Sequence, residues 1–155
     1  MKKITILMMA FFGMNIALAD NFNYASTDAC RTAMSGYQDK ADALASKNEN
    51  NDKAFYGFMA LENFFRLFTF PGTVSDYCSN GACIYTISVT CDLAKHSNTV
   101  PWSSLIVPVL SREAGYLERG EYDPGLAPNA QYYLHCHHQE QTPIDWNNCS
   151  INTSK

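Results

Sequence analysis

Three of the four histidines in this 155-residue chain fall within one four-residue segment, His135-Cys136-His137-His138. The residues around them alternate between polar and apolar types, which predicts a β-strand over residues 131–139. On a strand, His135 and His137 project from the same face and could bind one metal ion, since neutral imidazole is a common ligand of zinc and copper. Two histidines make an incomplete site, because zinc sites have three or four protein ligands. The alternative interpretation is a polar strand surface that faces solvent, with no cofactor.

A group of acidic residues is a second candidate for chemistry. Glycosidases use a pair of carboxyl groups, and such a pair could be drawn from Glu113, Glu118, Glu121 and Asp123. The simpler interpretation is the charged end of a helix that leads into a loop, because glycine and proline recur over residues 120–130. The sequence has no G-x-S-x-G motif of a serine hydrolase, and it has no free cysteine if all six are paired. We therefore expect a protein that is not an enzyme, with a small secreted hydrolase as an alternative.

Tyrosines border this loop, and we call residues 118–128 the acidic loop. Tyrosine beside a polar loop is typical of surfaces that recognise other proteins. The same rings could instead cover the hydrophobic core. The predicted partner-binding residues are Tyr116, Glu118, Glu121, Tyr122 and Asp123.

The N-terminus has the features of a secretory signal peptide. Two lysines precede an apolar run over residues 4–16, and Ala-Leu-Ala at residues 17–19 supplies the small-x-small pattern of a cleavage site. A membrane anchor fits less well, because the apolar run is short and no basic residue follows it closely. We expect cleavage before Asp20, which divides the chain into a signal peptide, residues 1–19, and one globular domain, residues 20–155. This domain is expected in the periplasm or outside the cell.

The charge balance limits the classes of partner. The chain has 11 basic and 15 acidic residues, for a net charge of −4. Loss of Lys2 and Lys3 with the signal peptide leaves nine basic residues against the same 15 acidic ones. Nucleic acid and anionic membranes are therefore poor partners, and stable membrane insertion is not expected. The sequence favours another protein with a basic surface.

The cysteines indicate disulfides. All six follow the expected cleavage site: Cys30, Cys78, Cys83, Cys91, Cys136 and Cys149. An even number in a small exported domain is typical of a disulfide framework, whereas the paired C-x-x-C spacing of a zinc site is absent.

A hairpin predicts the first disulfide. Asn80-Gly81 is a strong signal for a two-residue turn, because both positions tolerate positive φ. This turn places Cys78 opposite Cys83 in a pair without backbone hydrogen bonds, where side chains come closest.

The other four cysteines allow three pairings. Cys91 and Cys136 both lie on the apolar faces of predicted strands, so we favour Cys91–Cys136, and this choice leaves Cys30–Cys149. The other pairings stay open, because connectivity cannot be read from sequence alone.

Two helices should supply most of the core. Six of the nine phenylalanines lie within residues 54–70, and a helix there is apolar on all sides but one stripe of Glu62, Arg66 and Thr69. Apolar residues at spacings of three and four predict another helix over residues 28–47. The polar turn between the two is short, so they are expected to pair antiparallel.

The rest of the chain predicts a small sheet. Residues 83–91 alternate as a second strand, and a short helix with Pro108 in its first turn is expected to end near Arg119. The expected fold is α+β, with an antiparallel helix hairpin packed on a small antiparallel sheet and stapled by disulfides. The alternative is a mostly helical protein with one β-hairpin.

An exported, acidic, disulfide-bonded domain without a catalytic signature is more typical of a binding protein than of an enzyme. We therefore expect a protein-binding module, and in a bacterium an inhibitor or immunity protein against a toxin or hydrolase that acts in the cell envelope. Its acidic loop would bind a basic cleft, with tyrosines as anchors. A small envelope protein that binds metal through His135 and His137 is an alternative.

Overall fold

The computed structural model describes residues 22–96 and 99–153. The predicted signal peptide and its cleavage site lie outside these residues. The described chain contains three α-helices, a four-stranded antiparallel sheet and three disulfides, so the predicted α+β fold is confirmed. None of its helices is long and apolar enough to cross a membrane.

Two helices form the predicted hairpin, α1 (Thr27–Lys47) and α2 (Asp52–Phe68). Ser26 and Asn51 cap them, since each side chain accepts a hydrogen bond from the backbone N–H three residues later, at 3.1 and 3.3 Å. The turn between the helices is only four residues long.

Contacts between the helices show that they run antiparallel. Tyr37 of α1 stacks on Phe65 of α2, with ring centroids 4.9 Å apart. The next residue of α1, Gln38, donates a hydrogen bond to Glu62 of α2 at 3.2 Å. From one contact to the next, the chain position increases along α1 and decreases along α2, as it does in an antiparallel pair.

The phenylalanines of α2 form the centre of the core. Four of them are almost fully buried: Phe58, Phe64, Phe65 and Phe68. Burial of each ring is worth roughly 1.5–3 kcal/mol. Trp102 is fully buried in the same core, and its Nε1 donates to the backbone carbonyl of Phe22 at 2.7 Å. This hydrogen bond ties the start of the described chain to the core.

The third helix, α3 (Val107–Glu118), follows one π-helical turn, Trp102–Ile106. Pro108 lies in its first turn, as predicted, where the fixed φ of proline suits the start of a helix.

The strands follow one another across the sheet in chain order: β1 (Val74–Ser79), β2 (Ala82–Ser88), β3 (Tyr133–Gln139) and β4 (Cys149–Asn152). The turn between β1 and β2 has φ of 52° at Asn80 and 83° at Gly81, as the Asn-Gly pair predicts. Strand β4 was not predicted, because its four residues are too few to establish an alternating pattern.

The second predicted strand is shorter than residues 83–91. The chain leaves the sheet after Ser88 and forms a 3₁₀-helix, Cys91–His96, which packs against α1. Cys91 therefore lies with the helices, which we call the helical half of the molecule, and outside the four-stranded sheet, which we call the sheet half.

The three disulfides are Cys30–Cys91, Cys78–Cys83 and Cys136–Cys149. Cys78–Cys83 is the pair expected from the hairpin, and its two residues lie opposite each other in the register.

The predicted pairs Cys91–Cys136 and Cys30–Cys149 are wrong. Because Cys91 has left the sheet, its sulfur meets that of Cys30 near the start of α1. Cys136 lies directly opposite Cys149 on the neighbouring strand β4, so these two bond to each other.

Candidate protein-binding surface

The acidic loop follows α3 and folds back onto α2. Gly120, with φ of 67°, lets the chain turn at the end of the helix. The Tyr122 ring lies so close to Gly57 of α2 that any Cβ at that position would overlap it. The same ring packs edge-on against Phe58, with centroids 5.5 Å apart. A glycine at residue 57 is therefore what lets the loop rest on α2.

A buried carboxyl group anchors the loop to α3. Glu113 is 0 % exposed, and its Oε1 accepts a hydrogen bond from Nε of Arg112 at 2.9 Å. Its other oxygen, Oε2, is buried and receives no hydrogen bond from the residues that the structure describes. The neighbour that can share a hydrogen bond with this carboxyl is Asp123 of the acidic loop. Such a bond requires a proton between the two carboxyl groups.

These surroundings raise the pKa of Glu113 to about 7. Burial is the largest cause, because it penalises the charged form. The hydrogen bond with Asp123 raises the pKa further, and the hydrogen bond from Arg112 opposes the rise. Below about pH 7 Glu113 is therefore protonated and donates to Asp123.

The Glu113–Asp123 pair does not fit a glycosidase. Both carboxyl groups face one guanidinium, since Nε of Arg112 is 2.9 Å from Oε1 of Glu113 and 3.9 Å from Oδ2 of Asp123. A glycosidase pair instead keeps the space between its carboxyl groups open for the sugar or a water. Glu113 also has no exposed surface that a substrate could touch. The pair instead fastens the loop, and Asp123 shapes it by accepting the Gly125 N–H at 2.8 Å.

The five predicted partner-binding residues divide into two groups. Tyr116, Tyr122 and Asp123 are partly buried and hold the loop in place. Glu118 and Glu121 are exposed and project from it.

Arg119 contacts one residue of each of these two groups. Arg119 pairs with Glu121 at 3.1 Å, and its carbon Cζ lies 4.9 Å above the ring of Tyr116. The loop therefore presents its carboxylates from a fixed base.

A groove of about 430 Å³ lies between the acidic loop and the α1–α2 turn. Glu121 and Tyr122 line one side, and Asn48 and Lys53 line the other, with Phe58 among the lining residues. Tyr56, the neighbour of Gly57 on α2, is 67 % exposed. Lys53 could not be placed on this surface from the sequence, because only the folded chain brings α2 next to the loop.

The two predicted metal ligands share a strand face. His135 and His137 lie on the side of β3 opposite to Leu134 and Cys136, which are fully buried in the core. Nε2 of His135 is buried and has no hydrogen-bond partner within residues 22–96 and 99–153. Neither histidine belongs to a group of three or more close ligands among the described residues. The structure thus adds no third ligand to this pair.

The described residues do contain one such group, on the core-facing side of the sheet. It consists of Asp76, Cys83 and His138, whose ligand atoms all lie within 4.8 Å of one another. Nε2 of His138 is 2.9 Å from Oδ1 of Asp76. His138 was not predicted as a ligand, because its partner Asp76 is 62 residues away and becomes a neighbour only through the strand register.

A second exposed surface lies on the outer face of the sheet. Tyr77, Ile84 and His137 occupy one row across β1, β2 and β3, and Tyr77 is 70 % exposed. We call these three residues the sheet-row surface. Two of its three side chains, Tyr77 and Ile84, are large exposed hydrophobic groups, and unlike the acidic loop it carries no carboxylate.

Comparisons with known proteins do not choose between the two surfaces. No protein-family model matches this chain, and no curated protein or solved structure is significantly similar to it. The choice therefore depends on the geometry and charge of the surfaces themselves.

Proposed function

We propose that this chain is an exported protein-binding module that inhibits a toxin or hydrolase acting in the cell envelope, as an inhibitor or immunity protein does. The observation that supports this proposal most is the fixed acidic loop. Its exposed carboxylates stand beside a groove with aromatic walls, and the base of the loop is held by buried contacts.

A fixed loop lowers the cost of binding. A mobile loop must lose conformational freedom when it meets a partner, whereas one already held in place loses little. Tyr122 on α2 and Asp123 on Glu113 hold this loop from two sides. Exposed carboxylates such as Glu118 then attract a basic partner, and the half-buried ring of Tyr122 in the groove wall supplies apolar contact.

The disulfides support the proposed location. Disulfides form and persist in oxidising compartments such as the periplasm or the extracellular space. In this proposal the signal peptide directs export and is removed before Asp20. Fractionation of cells followed by N-terminal sequencing tests this step, and the expected mature protein begins at Asp20.

The binding test compares the acidic loop with the sheet-row surface. We would isolate proteins from envelope extract on the tagged mature chain and repeat the isolation with Glu118→Lys/Glu121→Lys and with Tyr77→Ala. The expected result is one stoichiometric partner for the wild type and Tyr77→Ala, and at least about a tenfold loss of affinity for the charge-reversal variant, greatest at low salt.

Function is then measured with the purified partner. Its hydrolytic or toxic activity should fall to zero at one equivalent of the wild-type chain, and the charge-reversal variant should leave it active. Loss of binding in Tyr77→Ala with none in Glu118→Lys/Glu121→Lys would place the interface on the sheet. A captured partner that keeps full activity in the complex would refute inhibition.

A further inference from the structure

The hairpin disulfide Cys78–Cys83 has two potential metal ligands beside it. Cys78, Cys83 and His138 lie in one row across β1, β2 and β3. Asp76 is two residues before Cys78 on β1, so its side chain projects from the same face. The sulfur of Cys83, a carboxylate oxygen of Asp76 and a ring nitrogen of His138 all lie within 4.8 Å of one another. The sulfur of Cys78 is bonded to that of Cys83, so four ligand groups converge.

The orientation of His138 is that of a metal ligand. Its Nδ1 is 2.9 Å from the backbone carbonyl of Gln139, and its Nε2 is 2.9 and 3.1 Å from the two oxygens of Asp76. Histidines that bind metal usually donate their other ring N–H to a carbonyl or carboxylate. In the disulfide form a proton on Nε2 bridges to Asp76. A metal ion between the same two groups would replace that proton.

The hairpin disulfide is also the one most open to reductants. Cys78 is exposed although Cys83 is buried, whereas both residues of Cys30–Cys91 are fully buried and Cys136–Cys149 joins a buried residue to a half-buried one. Thiol–disulfide exchange requires access of the attacking thiolate to a sulfur. A groove of about 390 Å³ reaches Cys83 and His138 from the side of the β3–β4 turn.

We propose that reduction of Cys78–Cys83 creates a Zn²⁺ site whose four ligands are Cys78, Cys83, His138 and Asp76. The reductant is a dithiol: it supplies two electrons and two protons, the S–S bond breaks to two thiols, and the dithiol becomes a disulfide. Zinc then binds as both thiols and Nε2 of His138 release their protons to solvent.

Two thiolates, one neutral imidazole and one carboxylate suit tetrahedral zinc. The hairpin is cross-linked in both states, by the disulfide when oxidised and by zinc when reduced. The proposal does not depend on the protein-binding function of the acidic loop, since the acidic loop contributes no ligand.

The first measurement is selective reduction. The folded protein is titrated with a dithiol without oxygen, free thiols are alkylated, and the modified cysteines are located by mass spectrometry. The expected result is a form with two free thiols, at Cys78 and Cys83, before the other disulfides open.

The second measurement is metal binding by this two-thiol form after removal of the reductant. We expect one equivalent of Zn²⁺, and with Co²⁺ the visible and near-ultraviolet bands of tetrahedral thiolate coordination. His138→Gln should weaken zinc binding at least about tenfold. His137→Gln is the matched control, because it alters the adjacent histidine on the opposite strand face, and binding should not change.

Three results would overturn the proposal. One is a two-thiol form that binds zinc no more tightly than Cys78→Ser/Cys83→Ser. Another is reduction of Cys78–Cys83 only together with the other two disulfides, which would show that it is a structural cross-link. The third is loss of zinc in His137→Gln with none in His138→Gln, which would assign the metal to the outer face.

Discussion

The helical half and the sheet half of this protein are cross-linked over different distances along the chain. Cys30–Cys91 joins residues 61 apart and fastens α1 to the 3₁₀-helix that follows β2. The two disulfides of the sheet join residues only 5 and 13 apart, each within one antiparallel pair of strands. A bond that closes a long loop removes more freedom from the unfolded chain than one that closes a short loop. Cys30–Cys91 should therefore stabilise the fold most, and the two sheet disulfides should stabilise it less.

The two halves also differ in how they use ionisable groups. In the helical half Glu113 is fully buried against Arg112 and Asp123. In the sheet half His138 pairs with Asp76, which is 42 % exposed. The stability that a buried ionisable group contributes depends strongly on pH, because no water stabilises the charged form of the group. Four predictions test these differences, from the largest expected effect to the smallest.

Removal of the long-range disulfide should have the largest effect. For Cys30→Ala/Cys91→Ala we expect a loss of about 4 kcal/mol in the free energy of unfolding, from the loop entropy returned to the unfolded chain. Denaturant titration followed by circular dichroism measures it. A loss no greater than that of the sheet disulfides would contradict the comparison.

The buried carboxyl should make the helical half pH-dependent. The pKa of Glu113 is raised to about 7 in the folded state, from 4.5 in the unfolded chain. Between these two pH values the folded state therefore binds a proton that the unfolded chain has released. Stability from this group is therefore greatest at low pH and falls as pH rises from about 4.5 to about 7, by up to about 3 kcal/mol. Glu113→Gln keeps an acceptor for Arg112 and a donor for Asp123 without charge.

This variant should flatten the pH dependence and be more stable than the wild type at pH 8. Unfolding in denaturant at several pH values measures the difference. The control is Glu118→Gln, an exposed acid on the same helix. If the stability of the wild type and of Glu113→Gln depended on pH in the same way, Glu113 would not be protonated in the folded state.

The two sheet disulfides should have smaller effects, in the order of their loops. For Cys136→Ala/Cys149→Ala we expect a loss of about 3 kcal/mol, and for Cys78→Ala/Cys83→Ala about 2 kcal/mol. Hydrogen exchange of the β1 and β4 amides, followed by NMR, should show faster local opening of the strand that was released. The reverse order of stabilities would mean that packing around the sulfurs outweighs loop length.

The ion pair of the sheet should have the smallest effect. The hydrogen bond with Asp76 raises the pKa of His138 above 6.5, and the carbonyl of Gln139 contributes because both ring nitrogens face acceptors. Its contribution to stability is present below pH 6.5 and is lost as pH rises through the folded-state pKa. NMR titration of the ring should show this pKa fall toward 6.5 in Asp76→Asn. An unchanged pKa in that variant would show that Asp76 does not hold the proton.

The helix hairpin was predictable because its signals are local. Apolar spacing within each helix and the short polar turn between the helices act within a few residues, and so does the Asn80-Gly81 turn of the β-hairpin. The acidic loop was predictable as a loop, but its division into anchoring and exposed residues was not. Asp123 looks like Glu121 in the sequence, and only the position of Glu113 makes one a buried partner and the other a surface charge.

By itself, the sequence determined the helices, the hairpin, the α+β class and the Cys78–Cys83 bond, since these depend on periodicity and turn chemistry over short distances. Only the tertiary structure decided the partners of Cys30 and Cys136, the burial of Glu113 and the meeting of His138 with Asp76. Each of these depends on where a strand ends or on which residue stands opposite in the register. A shift of one residue in the strand end or in the register moves a side chain to the other face of the sheet. No local sequence pattern indicates such a shift.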